Sequence, residues 1–134
     1  MKTRIIIVGT FLMLLLMAVP DTAFANSSGR TGSTDGCGAG SCHSSTTPTV
    51  TPSLSGTPSS GYSAGTTYSL SISASGGPSG TTGGFNLDSS QGVFSNPGPN
   101  AQISLGEVTH TNSNSRAWSV DWTAPSTGSG DVVF

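Results

Sequence analysis

Short runs of alternating apolar and polar residues occupy much of the chain after residue 50. In the two clearest runs, 68–75 and 118–123, apolar side chains take every second position: Tyr68, Leu70, Ile72, Ala74, Trp118, Val120 and Trp122. A period of two places successive side chains on opposite faces of a β-strand. The runs therefore predict two strands, each with one core-facing side, and we expect both tryptophans to pack in that core.

Weaker runs of the same kind predict five further strands. They are residues 50–54, 85–87, 93–94, 103–108 and 132–134, with clusters of Gly, Pro, Asn and Ser between them. Pro52 confines the first run to a sheet edge or a bend, because proline has no amide hydrogen to donate. No segment after the N-terminal apolar run has helical periodicity, so the pattern predicts an all-β fold, an immunoglobulin-like Greek-key β-sandwich. Because the sequence ends within the last run, we expect this sandwich to be truncated at its C-terminus.

The N-terminus has the pattern of a secretory signal. Lys2 and Arg4 precede an apolar run over residues 5–19, and Ala23 and Ala25 occupy the small-residue positions before a cleavage site. The apolar run is shorter than the roughly 20 residues that a membrane span needs. The pattern therefore predicts a signal peptide that is removed on export.

Three regions follow from these patterns. We expect a signal peptide over residues 1–25, a flexible leader over residues 26–46 and the sandwich domain over residues 47–134. The predicted location is extracellular, at the cell surface or in the periplasm. Anchoring to a membrane or cell wall would need a C-terminal tail beyond this sequence.

Charge is sparse after the predicted signal. Two basic and five acidic residues give a net charge of −3 with both histidines neutral, and lysine is absent. Such a chain cannot neutralise a row of phosphates, so the composition argues against nucleic-acid binding. The sequence has no Gly-x-Ser-x-Gly motif, paired acidic block or phosphate-cradling glycine loop, and we do not predict an enzyme.

The candidate chemistry lies in one short segment that contains both cysteines of the chain: Cys37-Gly38-Ala39-Gly40-Ser41-Cys42-His43. Two thiols followed directly by a histidine is the arrangement that attaches a c-type haem, usually as Cys-x-x-Cys-His. Each thiol bonds to a vinyl group of the porphyrin, and the histidine ligates the iron. In this chain four residues, rather than two, separate the cysteines.

His110 is the only other histidine. The three methionines cannot serve as a second axial ligand, because all lie in the predicted signal: Met1, Met13 and Met17. If haem binds, we therefore expect ligation by His43 and His110, which favours electron transfer over oxygen chemistry. Without haem, His110 is expected to be a solvated or hydrogen-bonded loop histidine.

Two other fates for the same residues remain open. Export places the cysteines in an oxidising compartment, where Cys37 and Cys42 can form a disulfide. Closing so short a loop contributes on the order of 2 kcal/mol. A zinc or copper site would need more ligands, for which His110 and Asp35 are the candidates. A disulfide would leave a structural or adhesive surface domain with no cofactor.

The order of motifs along the chain resembles that of a known family. The motifs are Gly-Arg-Thr-Gly at 29–32 ahead of the Cys/His block, Tyr-Ser-Ala-Gly-Thr-Thr-Tyr-Ser-Leu at 62–70, Gly-Gly-Phe-Asn-Leu at 83–87, Val-Thr-His-Thr at 108–111, and the segment 118–134. This order is similar to that of the choice-of-anchor V domain of prokaryotic surface proteins, itself similar to the Reeler domain. The resemblance implies an exported immunoglobulin-like module with a variable anchoring tail and a Cys-x-x-Cys-His-like block before the first strand.

The predicted function combines these features. We expect an exported cell-surface β-sandwich module that carries one c-type haem for electron transfer. The sequence does not identify the redox partner or the surface component that it meets.

Overall fold

The computed structural model describes residues 27–32 and 49–134 of the chain. The predicted signal peptide and the Cys37–His43 block lie outside these described residues. Within the described ranges the structure consists of strands, turns and loops, with no helix. The described ranges accordingly contain no helix long and apolar enough to cross a membrane.

Seven strands make up the fold. They are β1 (Val50–Ser55), β2 (Thr67–Gly76), β3 (Asn86–Leu87), β4 (Val93–Ser95), β5 (Ala101–Ser104), β6 (Glu107–His110) and β7 (Ala117–Thr123). They form a four-stranded sheet of order β1-β2-β7-β4 and a three-stranded sheet of order β3-β6-β5. Every pairing is antiparallel. The predicted all-β fold is confirmed, and the two sheets are consistent with a β-sandwich.

One apolar core joins the two sheets. The buried side chains are Leu70, Ile72, Phe94, Val108, Trp118, Val120, Trp122 and Ala124. The tryptophans are only 4% and 1% exposed, which confirms that they pack in the core. Aromatic rings of this size remove large apolar areas from water, so strand β7 is central to the stability of the fold.

The proline in β1 lies at a sheet edge, as the sequence predicts. Strand β1 is the outermost strand of the four-stranded sheet, and Pro52 lies opposite Ala74 of β2. An edge position suits proline because only one side of the strand needs backbone donors.

Two of the predicted strands are wrong. Residues 103–108 do not form one strand, because a two-residue turn at Leu105-Gly106 separates β5 from β6 and pairs Ser104 with Glu107. Both turn residues have positive φ, 53° and 88°, as a tight hairpin turn requires.

Residues 132–134 also lack strand structure. Val133 exchanges two hydrogen bonds of 2.9 Å with Ser90, one through each residue's backbone N–H, and no ladder continues from them. Phe134 turns toward the core instead, with its ring centroid 5.0 Å from that of Trp122. Aromatic packing and the two hydrogen bonds with Ser90, and not strand pairing, therefore hold this segment.

The outer face of the four-stranded sheet is covered with hydroxyl groups. Its members, here called the hydroxyl face, are Thr51, Ser53, Ser55, Thr67, Ser69, Ser71, Ser73, Ser75, Ser119 and Thr123, which lie opposite one another across β1, β2 and β7. Asp121 is the charged residue among them, and it accepts hydrogen bonds from Ser69 Oγ at 2.6 Å and Asn96 Nδ2 at 3.0 Å. The serines at alternate positions of β2 thus point away from the core, as their spacing predicts.

Candidate functional site

His110 is the predicted haem ligand that the described ranges contain. It is the last residue of β6, the central strand of the three-stranded sheet, and its side chain is half-buried. The cysteines at 37 and 42 and the histidine at 43, predicted to complete the site, lie outside the described residues. The site is therefore built outward from His110.

The backbone of Phe85 holds the His110 ring by one nitrogen. Nδ1 lies 3.1 Å from the Phe85 amide nitrogen and 3.1 Å from the Phe85 carbonyl oxygen. In one tautomer the Phe85 N–H donates to Nδ1, and in the other Nδ1–H donates to the carbonyl. Metal-bound histidines usually donate their second ring N–H to a carbonyl or carboxylate, so the second tautomer suits ligation through Nε2.

Gly84 packs against the face of the same ring. A Cβ atom at this position would lie 2.6 Å from His110 Cε1, 2.9 Å from Nε2 and 3.0 Å from Nδ1. Nearly equal distances to the two ring nitrogens, with Cε1 closest, place the glycine above the plane of the imidazole. Position 84 therefore has no room for a side chain while the His110 ring keeps this orientation.

Residues 28–32, here called the strap, run alongside β6 on the outer side of the three-stranded sheet. Gln102 Nε2 donates to Ser28 O at 2.7 Å, and the Arg30 N–H donates to Thr109 Oγ1 at 3.2 Å. The strap begins beside His110 and ends beside Glu107, so it runs antiparallel to β6. Its contacts use the strap's backbone, together with side chains of β5 and β6.

Glu107 fixes the end of the strap. The Gly32 N–H donates to both carboxylate oxygens, at 3.1 Å to Oε1 and 2.9 Å to Oε2. Asn86 Nδ2 donates to the same Oε2 at 2.7 Å. Hydrogen bonds to a carboxylate are stronger than those between neutral groups, so Glu107 is the firmest anchor of the strap.

Thr109 joins the strap to the histidine site. Its side chain lies on the outer face of the sheet, whereas that of its chain neighbour Val108 lies on the core face. Thr109 is nevertheless only 1% exposed, because the strap covers it. Its hydroxyl accepts the Arg30 N–H and donates to Phe85 O at 2.8 Å. The same carbonyl oxygen faces His110 Nδ1. The strap and His110 are therefore connected through the Thr109 hydroxyl and the Phe85 carbonyl oxygen.

Arg116 holds the loop that carries Gly84 and Phe85 to the site. Its guanidinium donates to the carbonyl oxygens of Thr82 at 2.8 Å, Gly76 at 2.6 Å and Pro78 at 2.7 Å. Five N–H groups in a rigid fork allow one arginine to satisfy several carbonyls at once. The β2–β3 loop is thereby fixed at the end of the fold where β6 ends and β7 begins.

Sequence reasoning missed most of the residues that surround His110. Nothing in the pattern marks Thr109 as buried or Glu107 as an anchor, because both depend on where the strap lies. The Gly83-Gly84 pair before Phe85 was the one usable signal, since paired glycines mark a turn or a close backbone approach.

The metal-site alternative gains no support from the described ranges. They contain no group of three or more His, Cys, Asp and Glu side chains able to hold a metal ion. Asp35, the other candidate ligand, lies outside them. What the described ranges do offer is one histidine whose Nδ1 faces the backbone N–H and the carbonyl oxygen of Phe85.

Comparison of the chain with protein-family models, with curated proteins and with solved structures finds no match.

Proposed function

We propose that the chain is an exported cell-surface module of the immunoglobulin-like, Greek-key type, similar to choice-of-anchor V and Reeler domains, which carries one c-type haem for electron transfer. The observation that carries this proposal is the orientation of His110 by the Phe85 backbone, 3.1 Å from Nδ1. Ligation by this ring would use Nε2, the nitrogen that does not face the Phe85 backbone. The sequence supplies the complementary part in Cys37, Cys42 and His43.

The topology supports the Greek-key part of the proposal. The chain passes between the two sheets at β2–β3, β3–β4, β4–β5 and β6–β7. Repeated crossing of this kind is typical of Greek-key sandwiches and is unlike a simple meander, whose neighbours in sequence pair within one sheet.

Each proposed residue has one role. Cys37 and Cys42 would hold the porphyrin through its two vinyl groups as thioethers, and His43 and His110 would ligate the iron. When bound, the haem supplies reversible one-electron chemistry. With two histidine ligands, the site would be suited to electron transfer.

The length of the chain is compatible with this pairing. Thr49 O accepts the Gly77 N–H at 3.0 Å, which fixes the start of β1 at the end of the fold where β6 ends. His43 lies six residues before Thr49, and an extended chain covers at most about 3.6 Å per residue, or about 22 Å in all. That reach is similar to the width of a small sandwich.

A haem stain after denaturing electrophoresis tests covalent attachment. The protein is exported from a host with cytochrome c maturation, and we expect a stained band and a visible Soret absorption. Replacing both cysteines by alanine should remove the stain. A colourless wild-type protein would overturn the proposal.

The His110→Ala variant tests the axial ligand separately. We expect this variant to keep its attached haem and its stain but to lose the low-spin, bis-histidine spectrum. The matched His43→Ala variant removes the histidine next to the thiols. An unchanged spectrum in His110→Ala, with haem attached, would exclude His110 as a ligand.

The second candidate is a structural or adhesive surface domain stapled by a Cys37–Cys42 disulfide. The hydroxyl face is the surface that such a domain would use, because its serine and threonine hydroxyls across β1, β2 and β7 can both donate and accept hydrogen bonds. A colourless protein whose mass is lower by two hydrogens under non-reducing conditions would establish this alternative.

A further inference from the structure

A groove lies on the hydroxyl face, where the loop between β4 and β5 rises beside strand β7. Residues of two strands and of the loop line it: Ser71, Ser73, Ala117, Ser119, Pro99 and Asn100. The four strand residues form its floor, and the two loop residues form its wall. The groove encloses about 360 Å³, which falls within the range of about 300–1,000 Å³ that small-molecule sites occupy.

The wall of the groove is fixed to the floor by the backbone. The Gly98 N–H donates to Ser119 O at 2.9 Å, and the Ala101 N–H donates to Gly98 O at 3.2 Å. A Cβ atom at position 98 would collide with Ser119 Oγ, so the loop needs a glycine to lie this close to the sheet. The groove is therefore preformed, and a preformed site loses less entropy when it binds a ligand.

The hydroxyl groups in the groove differ from others on the same face in having no partner within the protein. Outside the groove, Ser69 Oγ donates to Asp121 at 2.6 Å, and Ser75 Oγ donates to Thr51 O at 3.4 Å. Among the described residues, no partner of this kind is found for the three serine side chains of the floor. Each of these hydroxyls can both donate to and accept from a bound molecule.

The chemistry of the groove complements a neutral ligand. None of the described residues that line it is charged, so it offers no cation for a phosphate, sulfate or carboxylate group. Asp121, the charged residue of the hydroxyl face, already accepts hydrogen bonds from Ser69 and Asn96. No exposed aromatic, methionine or arginine side chain lies among the described lining residues. Such side chains are the usual anchors of protein–protein interfaces, so the ligand is not a protein surface.

The wall adds apolar surface and one amide to the hydroxyls. The exposed Pro99 ring and the Ala117 methyl group are apolar, and both line the groove. Asn100 Oδ1 accepts a hydrogen bond from Asn112 Nδ2 at 2.8 Å, which leaves the Asn100 Nδ2 hydrogens directed elsewhere. A sugar ring has the matching composition, with hydroxyls around its rim and C–H groups on its faces.

The floor of the groove continues across the sheet as rows of hydroxyls. Ser55, Ser71 and Ser119 lie opposite one another on β1, β2 and β7, and all three are exposed. Neighbouring strands are about 4.8 Å apart, so this row spans roughly 10 Å. A row of this length is longer than one sugar ring, and it therefore favours a chain of sugars over a free monosaccharide.

We propose that the groove binds a neutral polysaccharide. The hydroxyls of Ser71, Ser73 and Ser119 exchange hydrogen bonds with those of the sugar, and a C–H face of the sugar ring packs against Pro99. The inference rests on the second candidate function, an adhesive surface domain, and names the class of ligand that its hydroxyl face holds. It does not depend on haem.

Affinity electrophoresis of the full chain tests the proposal. Three native gels contain neutral probes, namely mannan, soluble starch and a mixed-linkage β-glucan, and a fourth contains polygalacturonate as the anionic control. The protein has a net negative charge at neutral pH and moves toward the anode, so binding to a polysaccharide held in the gel slows it. We expect retardation by at least one neutral polysaccharide and none by polygalacturonate. Unretarded migration in every gel, or equal retardation by polygalacturonate, would overturn the proposal.

Removal of the three serine hydroxyls shows whether the groove is the binding site. The variant Ser71→Ala/Ser73→Ala/Ser119→Ala should bind about tenfold more weakly, because it loses several hydrogen bonds to the sugar. The matched control removes three exposed serine hydroxyls from loops outside the hydroxyl face and should bind like the wild type: Ser59→Ala/Ser60→Ala/Ser79→Ala. Pro99→Ala should weaken binding several-fold, and it tests the groove if the triple variant does not fold.

Wild-type affinity in both groove variants would also overturn the proposal, because the polysaccharide would then bind elsewhere. The haem stain and the mass of the disulfide form test the proposed functions separately. A colourless protein that a neutral polysaccharide retards supports this inference without haem. A disulfide-bonded protein that no gel retards would be a structural domain without this ligand.

Discussion

A methyl group at position 84 would occupy space already filled by the His110 ring. The clash is with Cε1 at 2.6 Å and with both ring nitrogens within 3.0 Å. Gly84 therefore matters less for its own backbone conformation than for the orientation of the His110 ring. This makes position 84 a direct probe of the histidine site.

We predict that Gly84→Ala rotates the His110 ring and lowers the free energy of unfolding by about 1–3 kcal/mol, as overpacking does. Urea unfolding measures the loss, and the His110 ring resonances report the rotation. The His110→Ala background is the control, because the smaller side chain makes room for the methyl group. If Gly84→Ala lowers the free energy of unfolding as much in the His110→Ala background as in the wild type, the His110 ring is not the source of the strain.

Asp121 is the residue through which acid should act on the four-stranded sheet. The hydrogen bonds from Ser69 and, secondarily, from Asn96 hold the pKa of Asp121 below its usual value of 3.8, against a smaller opposing effect of burial. A folded-state pKa below the unfolded one means that the ionised carboxylate stabilises the fold. That contribution is complete above about pH 4 and is lost as the pH falls through the folded-state value.

We therefore predict that Asp121→Asn flattens the acid limb of the stability curve. The free energy of unfolding of the wild type should fall as the pH drops below about 4, and that of the variant should fall less steeply. Urea unfolding across this acid range gives both curves. Ser69→Ala should flatten the curve in part, whereas Ser71→Ala, on the same face, should leave it unchanged. Equal slopes in the wild type and Asp121→Asn would contradict the assignment.

At the scale of elements, the hairpin between β5 and β6 carries a residue poorly suited to its turn. Leu105 has φ of 53° and is 91% exposed. Left-handed backbone costs a residue with a Cβ roughly 1–2 kcal/mol, and asparagine tolerates it better. The turn is formed because Gly106 and the pairing of the two strands impose it.

We predict that Leu105→Asn raises the free energy of unfolding by about 1 kcal/mol. Leu105→Ala is the matched control, since it removes the exposed leucine but keeps a Cβ in the left-handed region. Thermal and urea unfolding compare the two variants. If Leu105→Ala raises the free energy of unfolding by the same amount, the exposed leucine side chain, and not the left-handed backbone, destabilises the wild type.

The same hairpin shows where strand prediction from sequence succeeds and fails. Strands β2 and β7 were predictable because long alternation with one buried face leaves little choice of register. The turn at Leu105-Gly106 was missed because leucine is not a turn residue and hides the hairpin inside an apolar run. The run at residues 132–134 predicts a strand, although Phe134 packs against Trp122 instead.

At the scale of the whole molecule, the sequence predicts one residue of the candidate site, His110. It does not predict the residues that hold His110 in place. His110 was identified by elimination, as the histidine outside the Cys/His block. Its neighbours Gly84 and Thr109 act through contacts between segments far apart in the chain: Arg30 and Thr109 are separated by 79 positions. Local periodicity carries no information about such contacts, so the strap could only be seen in the fold.

The hydroxyl face has a consequence for how the surface of the molecule behaves at different salt concentrations. Charged surfaces attract and release ions as salinity changes. Screening shortens the range of their electrostatic field from about 30 Å in dilute salt to about 3 Å in brine. A surface of serine and threonine hydroxyls has almost no such field to screen, and its hydration depends on hydrogen bonds with water alone. This side of the protein should present the same contact to its surroundings in fresh water and in seawater.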